Sequence, residues 1–455
     1  MKGLLTATIN LANYLCGEPL LCVAVAVAVI LTISVRAFPF RHFGQILKHV
    51  TGRDAVRTKG TDKGISSFSA CCTALGNTLG VGNIAGVAIA LASGGPGALL
   101  WLWVADLLGL TIKYTEAVLG VRYREIDPET GLYRGGIMWY IESGVGRNWK
   151  WLAVLYALIY SLSGFNYPAM QINAVVGALS GTLPIPPVVI GVISALLIGF
   201  VVLGGIRRLS DMANKVVPLM SLLYMLLILV VLGCNIRAVP AAVGHVFSCA
   251  FSGAAATGGF AGATASMAIR YGIARGFYSN GAATGDAAFA HGAADVAHPV
   301  LQGMWGVTEV LVDALVCTST ALVILSTGVL DTGLSGAALT TAAFATLMGN
   351  YGAALFVGIV TMLFAFTTAV VCAYYGELCL RYVVGGTRVE KYLIYPYRFC
   401  MCASAVVGSV ASLENLWGLS DLFLALCMFI CLFALVKCRK EVAALTKDYV
   451  TSAKQ

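Results

Sequence analysis

The sequence predicts an all-α polytopic membrane protein. It would have about eleven transmembrane helices in a five-plus-five inverted repeat, with the first and sixth core helices discontinuous. Three observations carry that prediction: the composition, the length of the apolar segments, and two glycine-rich interruptions inside them. The 455 residues are 59% hydrophobic and 11% charged, with a mean hydropathy of +0.86. A soluble domain has about a quarter of its residues charged, so that class is excluded. The fourteen cysteines are scattered through apolar stretches without metal-ligand spacing, and they read as reduced packing residues.

About 20 apolar residues are needed to cross the hydrocarbon core as a helix. Such stretches lie near 19–35, 65–93, 97–121, 150–180, 186–205, 214–235, 246–270, 300–328, 352–381, 392–412 and 415–437. The first lacks a basic leader and a cleavage site, so it is expected to be a retained, peripheral helix. Within a single transmembrane domain, 1–455, the predicted division is an extra helix and connector at 1–60, repeats at 64–240 and 241–440, and a tail at 441–455.

The connectors sort by charge. Arg36, Arg41, Lys48, Arg53, Arg57, Lys59 and Lys63 follow the first span, and Arg122, Arg124, Arg134, Arg147 and Lys150 follow the third. Arg207, Arg208 and Lys215, then Arg270 and Arg275, then Arg381, Arg388 and Lys391, then Lys437, Arg439 and Lys440 fall on the same face if spans alternate. The opposite face receives Lys2 and Arg237. By the positive-inside rule the N-terminus lies outside and the C-terminus in the cytoplasm of an inner (cytoplasmic) cell membrane. The formal net charge of +8 is then topological and implies a lipid-bilayer partner and no nucleic acid.

The first interruption is Gly76-Asn77-Thr78-Leu79-Gly80-Val81-Gly82-Asn83. Glycine costs about 1 kcal/mol relative to alanine in a helix interior, and asparagine is expensive in hydrocarbon. Such a break is tolerated where the freed backbone is buried in protein or lines a cavity. Gly76, Gly80, Gly82 and Gly86 also form overlapping Gly-x-x-x-Gly patterns, a packing signal, but Asn77, Thr78 and Asn83 add polar groups that packing alone does not require. A broken helix offers free N–H groups at the start of its outer half, here Val81, Gly82 and Asn83, suited to an anionic group. The freed carbonyls of Gly76 and Leu79 suit a hard cation such as sodium. An anionic group beside a cation is what an amino acid with a coupling ion provides. The counterpart break is expected at 253–262, in the seventh span.

Other polar groups sit inside spans. Thr367 and Thr368 either hydrogen-bond their own helix or complete an oxygen-only cation shell. Gln171 is either inter-helix glue or a ligand for substrate, and Pro168 nearby predicts a local bend. Lys113 and Glu116, three apart, read as an internal ion pair. Asp106 and Glu309 have no partner readable from sequence, Asp313 reads as pairing across helices, and Glu377 lies near a cytoplasmic end. A carboxylate proton relay is an alternative for any of these acids. His291, Asp295 and His298 fall in a connector and read as solvated or capping residues rather than a metal set. No nucleophile elbow, metalloprotease helix, phosphate loop or redox cysteine pair is present, so the chain is not expected to be an enzyme or to hold a cofactor.

The run Leu75–Ala88, followed by Gly94-Gly95-Pro96-Gly97-Ala98 and Trp101-Leu102-Trp103, closely resembles the alanine-or-glycine:cation symporter family. Lys113-Tyr114-Thr115-Glu116-Ala117, Lys215-Val216-Val217-Pro218, Ser279-Asn280, His298-Pro299-Val300 and Cys317-Thr318 match further signatures, and the match reaches Leu445-Thr446-Lys447-Asp448-Tyr449. The resemblance implies sodium-coupled symport of small neutral amino acids (alanine, glycine) into the cell by alternating access. It also implies a repeat of the amino acid–polyamine–organocation type. By analogy with the more distant neurotransmitter:sodium symporters, the sodium site maps to carbonyls of Gly76, Leu79 and Ala365 and hydroxyls of Thr367 and Thr368. Substrate would meet Thr78, Val81, Gly82, Asn83 and Gln171, with the side-chain pocket around Gly259, Phe260 and Cys372.

Two departures stand out. The family's Ser-Asn-Glu-Ala-Gly-Leu-Gly-Ser-Ala-Pro is here Ser279-Asn280-Gly281-Ala282-Ala283-Thr284-Gly285-Asp286-Ala287-Ala288, in what would be the cytoplasmic gate. Cys372 stands where many members carry tryptophan, which predicts a larger pocket. The alternatives are a proton-coupled transporter of a larger neutral amino acid, or, in a different class, a passive channel or non-transporting membrane sensor on the same fold. Clustering of polar groups at two breaks favours a single occludable site over a continuous conduction path.

Overall fold

The computed structural model describes residues 18–52, 63–179, 184–251 and 265–452. In chain order its main helices are α1 (Glu18–Ser34), α2 (Phe43–Thr51), α3 (Ser67–Thr78), α4 (Ala85–Gly94), α5 (Ala98–Arg122), α6 (Lys150–Leu179), α7 (Pro187–Val202) and α8 (Gly205–Cys234). They continue with α9 (Val239–Phe251), α10 (Ala265–Asn280), α11 (Ala287–Gly292), α12 (Pro299–Thr327), α13 (Gly336–Val384), α14 (Glu390–Val410) and α15 (Leu413–Ser452). A short antiparallel pair, β1 (Glu125–Ile126) and β2 (Tyr133–Arg134), decorates the connector after α5. Among the described residues six helices (α5, α8, α12, α13, α14 and α15) are long and apolar enough to cross a membrane. The predicted broken span is present: Ser67–Thr78 and Val81–Gly94 form one apolar unit bent by 55°. Shorter apolar helices fall at Pro19–Ser34, Pro187–Val202 and Val239–Phe251.

Local chemistry sets several boundaries. Ser66 caps α3 by accepting the Ser69 N–H at 3.1 Å, which satisfies one of the donors that a helix start leaves orphaned. Pro187 and Pro299 occupy the first turns of α7 and α12, where a missing N–H costs nothing. His298 caps α12 by accepting the Val300 N–H, in line with the capping role expected for it. The helix α6 runs on through Pro168. The most apolar stretches of α5 and α13 are each 67% buried, whereas that of α8 is 28% buried, so α5 and α13 are central and α8 lies at the periphery. The helix α6 packs along α13, and α5 lies against α10 and α12. Small residues allow that closeness: a Cβ at Gly276 would lie 2.6 Å from the Ala105 Cβ, the tight approach that glycine permits between membrane helices.

Several expectations need correction. The predicted 352–381 span is the second part of α13, which begins at Gly336 and bends at Gly349, where φ is 70° and ψ 165°. That left-handed φ is cheap for glycine alone. The stretch before it is too short to register as a span by hydropathy. Of the predicted 246–270 span, the residues up to Phe251 and those from Ala265, where α10 runs on to Asn280, are helical, and 252–264 lie outside the described residues. Arg270 and Arg275, counted as connector charges, therefore lie inside α10. Arg275 is buried and makes a bidentate pair with Asp421 at 2.9 and 2.8 Å. The counterpart break at 253–262, including Gly259 and Phe260, lies outside the described residues.

Candidate functional site

The interruption resolves into two helix ends joined by a short 3₁₀ turn, Val81–Asn83. The ladder of α3 stops at Thr78, leaving carbonyls without intrahelical partners. The Thr368 hydroxyl of α13 sits among them, 3.0 Å from the Gly76 carbonyl oxygen and 3.3 Å from those of Asn77 and Leu79. Oxygen–oxygen separations of that size are the edges of a polyhedron around a hard cation with metal–oxygen distances of about 2.4 Å. Gly80 keeps this place open, because a Cβ there would stand 2.6 Å from Thr368 Oγ1. Of the other residues mapped to the cation, Ala365 is fully buried. The Thr367 hydroxyl donates to its own helix, at Phe364 O (2.9 Å) and Leu363 O (3.2 Å).

A cavity of about 30 Å³ adjoins this cluster. Of the residues expected to meet substrate, Thr78, Gly82, Gln171 and Cys372 line it, as does Thr368. Val81 and Asn83 stand behind its wall. The Val81 N–H donates to Gln171 Oε1 at 3.1 Å, so the side chain of α6 occupies the donor that the sequence offered to a carboxylate. The Asn83 N–H donates to Gly80 O. The Asn83 side chain ties the turn together: its Oδ1 accepts the Gly80 N–H at 3.0 Å, and its Nδ2 donates to Asp313 Oδ1 at 2.5 Å.

The cavity is also lined by Asn77, Tyr167, Tyr278, Thr284 and Asp286, which the sequence had not assigned to substrate or ion. Asn77 Nδ2 donates to Asp286 Oδ2 at 2.7 Å, and the Cys372 thiol donates to Asn77 Oδ1 at 3.0 Å. One asparagine thus bridges Asp286, in the departing 281–288 segment, and Cys372, the other departure. Asp286 reaches the cavity because the α10–α11 loop turns sharply, with positive φ at Gly281, Ala283 and Gly285. Glu116 accepts the Ala283 N–H at 2.7 Å, and the Tyr156 hydroxyl donates to Thr284 O at 2.7 Å. A lone carboxylate in a run of glycine and alanine was the available signal. The sequence places that run in the cytoplasmic gate and gives Asp286 no ligand role.

Below the break lies a buried ionic network. Lys113 Nζ pairs with Glu309 Oε1 at 2.9 Å, not with Glu116 as the three-residue spacing suggested, because α12 packs across that face of α5. Glu309 also accepts from the Thr78 hydroxyl, and His291 Nε2 lies 3.3 Å from Glu309 Oε2. Gln302 Nε2 donates to His291 Nδ1 at 2.7 Å, which places the ring proton on Nε2, directed at Glu309. His291 is fully buried, not solvated as expected. Asp106 accepts from Asn280 at 2.9 Å, and Asp313 pairs across helices with Asn83 and Ser279. Near the end of α13, Glu377 holds Arg381 and Arg398. Burial of so many acids beside one lysine is costly unless each is hydrogen-bonded or paired, and the network supplies those partners.

A family profile described as the sodium:alanine symporter family matches residues 1–455. An uncharacterized transporter of Haemophilus influenzae is 38% identical over 96% of this chain and 94% of its own length. The sodium/alanine symporter AgcS of Methanococcus maripaludis is 34% identical, covering 92% and 90%. The probable sodium/glutamine symporter GlnT of Bacillus subtilis is 32% identical, covering 100% and 92%. A broken apolar helix, a cavity at the break and a match along its whole length together establish that this multi-pass membrane protein belongs to the sodium:alanine symporter family, a family of transporters.

Proposed function

We propose that this chain is a sodium-coupled symporter of small neutral amino acids, of the alanine/glycine class, that carries them into the cell by alternating access. The observation that carries the proposal is the Thr368 hydroxyl held among the Gly76, Asn77 and Leu79 carbonyls beside a cavity. Sodium binds there, with Gly76, Leu79, Ala365, Thr367 and Thr368 as its oxygen donors. Closing that shell requires Thr367 to turn its hydroxyl away from its own helix. The ion neutralises the carbonyl end of α3 and stiffens the break. The substrate carboxylate docks at the 80–83 turn, where Gln171 now holds the Val81 amide: the amino acid displaces the Gln171 oxygen and uses the same donor. Thr78, Gly82 and Asn83 shape this end of the site, and Gly259, Phe260 and Cys372 its side-chain end.

Ion and substrate together favour the occluded state, since ligands shift a conformational equilibrium only by their differential affinity. Rocking of one five-helix half against the other, over 64–240 and 241–440, then opens the site to alternate faces. The protein sits in the cytoplasmic membrane with its N-terminus outside. Uptake of labelled amino acids into proteoliposomes under imposed sodium or proton gradients tests this. Accumulation is expected with an inward sodium gradient and competition by alanine and glycine. Dependence on a proton gradient alone would overturn the coupling ion, and uptake indifferent to both gradients would overturn symport.

A further inference from the structure

Asp286 is the one acidic side chain among the described residues that line the cavity. It is 7% exposed, its Oδ2 accepts from Asn77, and its Oδ1 has no hydrogen-bond partner in the described structure. The charged groups that act on it through the packed interior include Lys113, Glu116 and Glu309. The lysine is committed to Glu309 at 2.9 Å, and Glu116 to the loop backbone at Ala283. A buried carboxylate with a free oxygen carries a large desolvation cost unless a positive partner arrives. The loop that presents it is built at some expense, since Ala283 adopts a φ of 69°, a conformation that costs a non-glycine residue about 1–2 kcal/mol. The cavity beside it, about 30 Å³, has room for one small polar group.

Resting on the amino-acid symport proposed above, we infer that Asp286 is the anion that receives the ammonium group of the transported amino acid, with Asn77 and Cys372 holding its carboxylate in place. Substrate would then lie between two fixed poles, the amide end of the 80–83 turn for its carboxylate and Asp286 for its ammonium. Asn77 orients the second pole: one end of its amide donates to Asp286, and the other accepts from Cys372. Asp286 is therefore a substrate-positioning residue that selects zwitterions over simple carboxylates.

The test uses the purified full chain in detergent, with sodium present, and titrates L-alanine, propionate and L-2,3-diaminopropionate by calorimetry and thermal unfolding. Wild type is expected to bind alanine and to ignore propionate, which lacks the ammonium. Asp286→Asn should weaken alanine about 10- to 100-fold, the range for losing a charge-assisted hydrogen bond. Asp286→Glu, which keeps the charge, should recover most of that loss. Stabilisation by sodium alone, retained in both variants, shows that they are folded. If Asp286→Asn binds alanine normally and loses only diaminopropionate, Asp286 pairs with a side-chain ammonium instead, and the inference is overturned. If it binds both normally, the inference falls while symport survives. Normal binding by Asp286→Asn, together with loss of wild-type binding as pH rises, would make the residue a proton site and also overturn it. If wild type binds no amino acid at all, the symport proposal fails and this one with it.

Discussion

The Thr368 hydroxyl lies 3.0 Å from the Gly76 carbonyl oxygen, fastening α13 to the point where the hydrogen-bond ladder of α3 gives out. One oxygen thus closes a ring of main-chain oxygens contributed by a different helix. Thr368→Val preserves shape and removes that oxygen. The expected outcome is a loss of about tenfold or more in apparent sodium affinity, the scale of one hydrogen bond or ligand to a charged group, with the fold retained. Sodium-dependent thermal stabilisation measures it. An unchanged sodium response would remove Thr368 from the cation shell.

Gly80 should tolerate no side chain. A Cβ there meets Thr368 Oγ1 at 2.6 Å and Gln171 Nε2 at 3.3 Å, so Gly80→Ala pushes on the cation cluster and the substrate wall at once. Sodium and amino-acid binding are expected to fall together in calorimetric titrations. A variant that lost one and kept the other would show that the two sites do not share this wall.

Lys113 and Glu309 form a fully buried pair. Removing one member strands the other charge, at a cost of roughly 3–5 kcal/mol, whereas replacing both by neutral groups is often close to neutral. Lys113→Met should therefore lower the unfolding midpoint sharply, and Lys113→Met combined with Glu309→Gln should restore most of it. Strictly additive losses would mean that the pair is not coupled.

Ala283 is the strained residue of the α10–α11 loop, with φ 69°. Glycine adopts that conformation at no steric cost, so Ala283→Gly should raise the unfolding midpoint by about a degree or two while leaving transport intact. A drop in midpoint would mean that the Ala283 methyl group, fully buried here, contributes more packing than its backbone costs.

The break at 76–83 was legible because glycine and asparagine are chemically out of place in a hydrocarbon-spanning helix, whatever surrounds them. Its bend and its freed carbonyls follow from that local anomaly, whereas the approach of Thr368 to them depends on how α13 packs. Lys113 misled for the opposite reason. Its three-residue spacing to Glu116 is a local signal, but the lysine turned to Glu309, 196 residues away, because the packing of α12 against α5 decides which carboxylate is in reach. His291 misled likewise, since a connector in hydropathy terms is a fully buried short helix in the fold.

The sequence by itself determined the class of the molecule, the place of its first discontinuity and the oxygen-rich character of the cluster there. Those follow from composition, span length and residues intrinsically unsuited to a continuous helix. The tertiary structure alone decided that Gln171 takes the Val81 amide, that Asn77 joins Cys372 to Asp286, and that an aspartate from an apparent connector enters the cavity wall. Such pairings depend on how helices far apart in the chain cross. Distance in space, not spacing along the chain, sets the energy of a hydrogen bond or an ion pair.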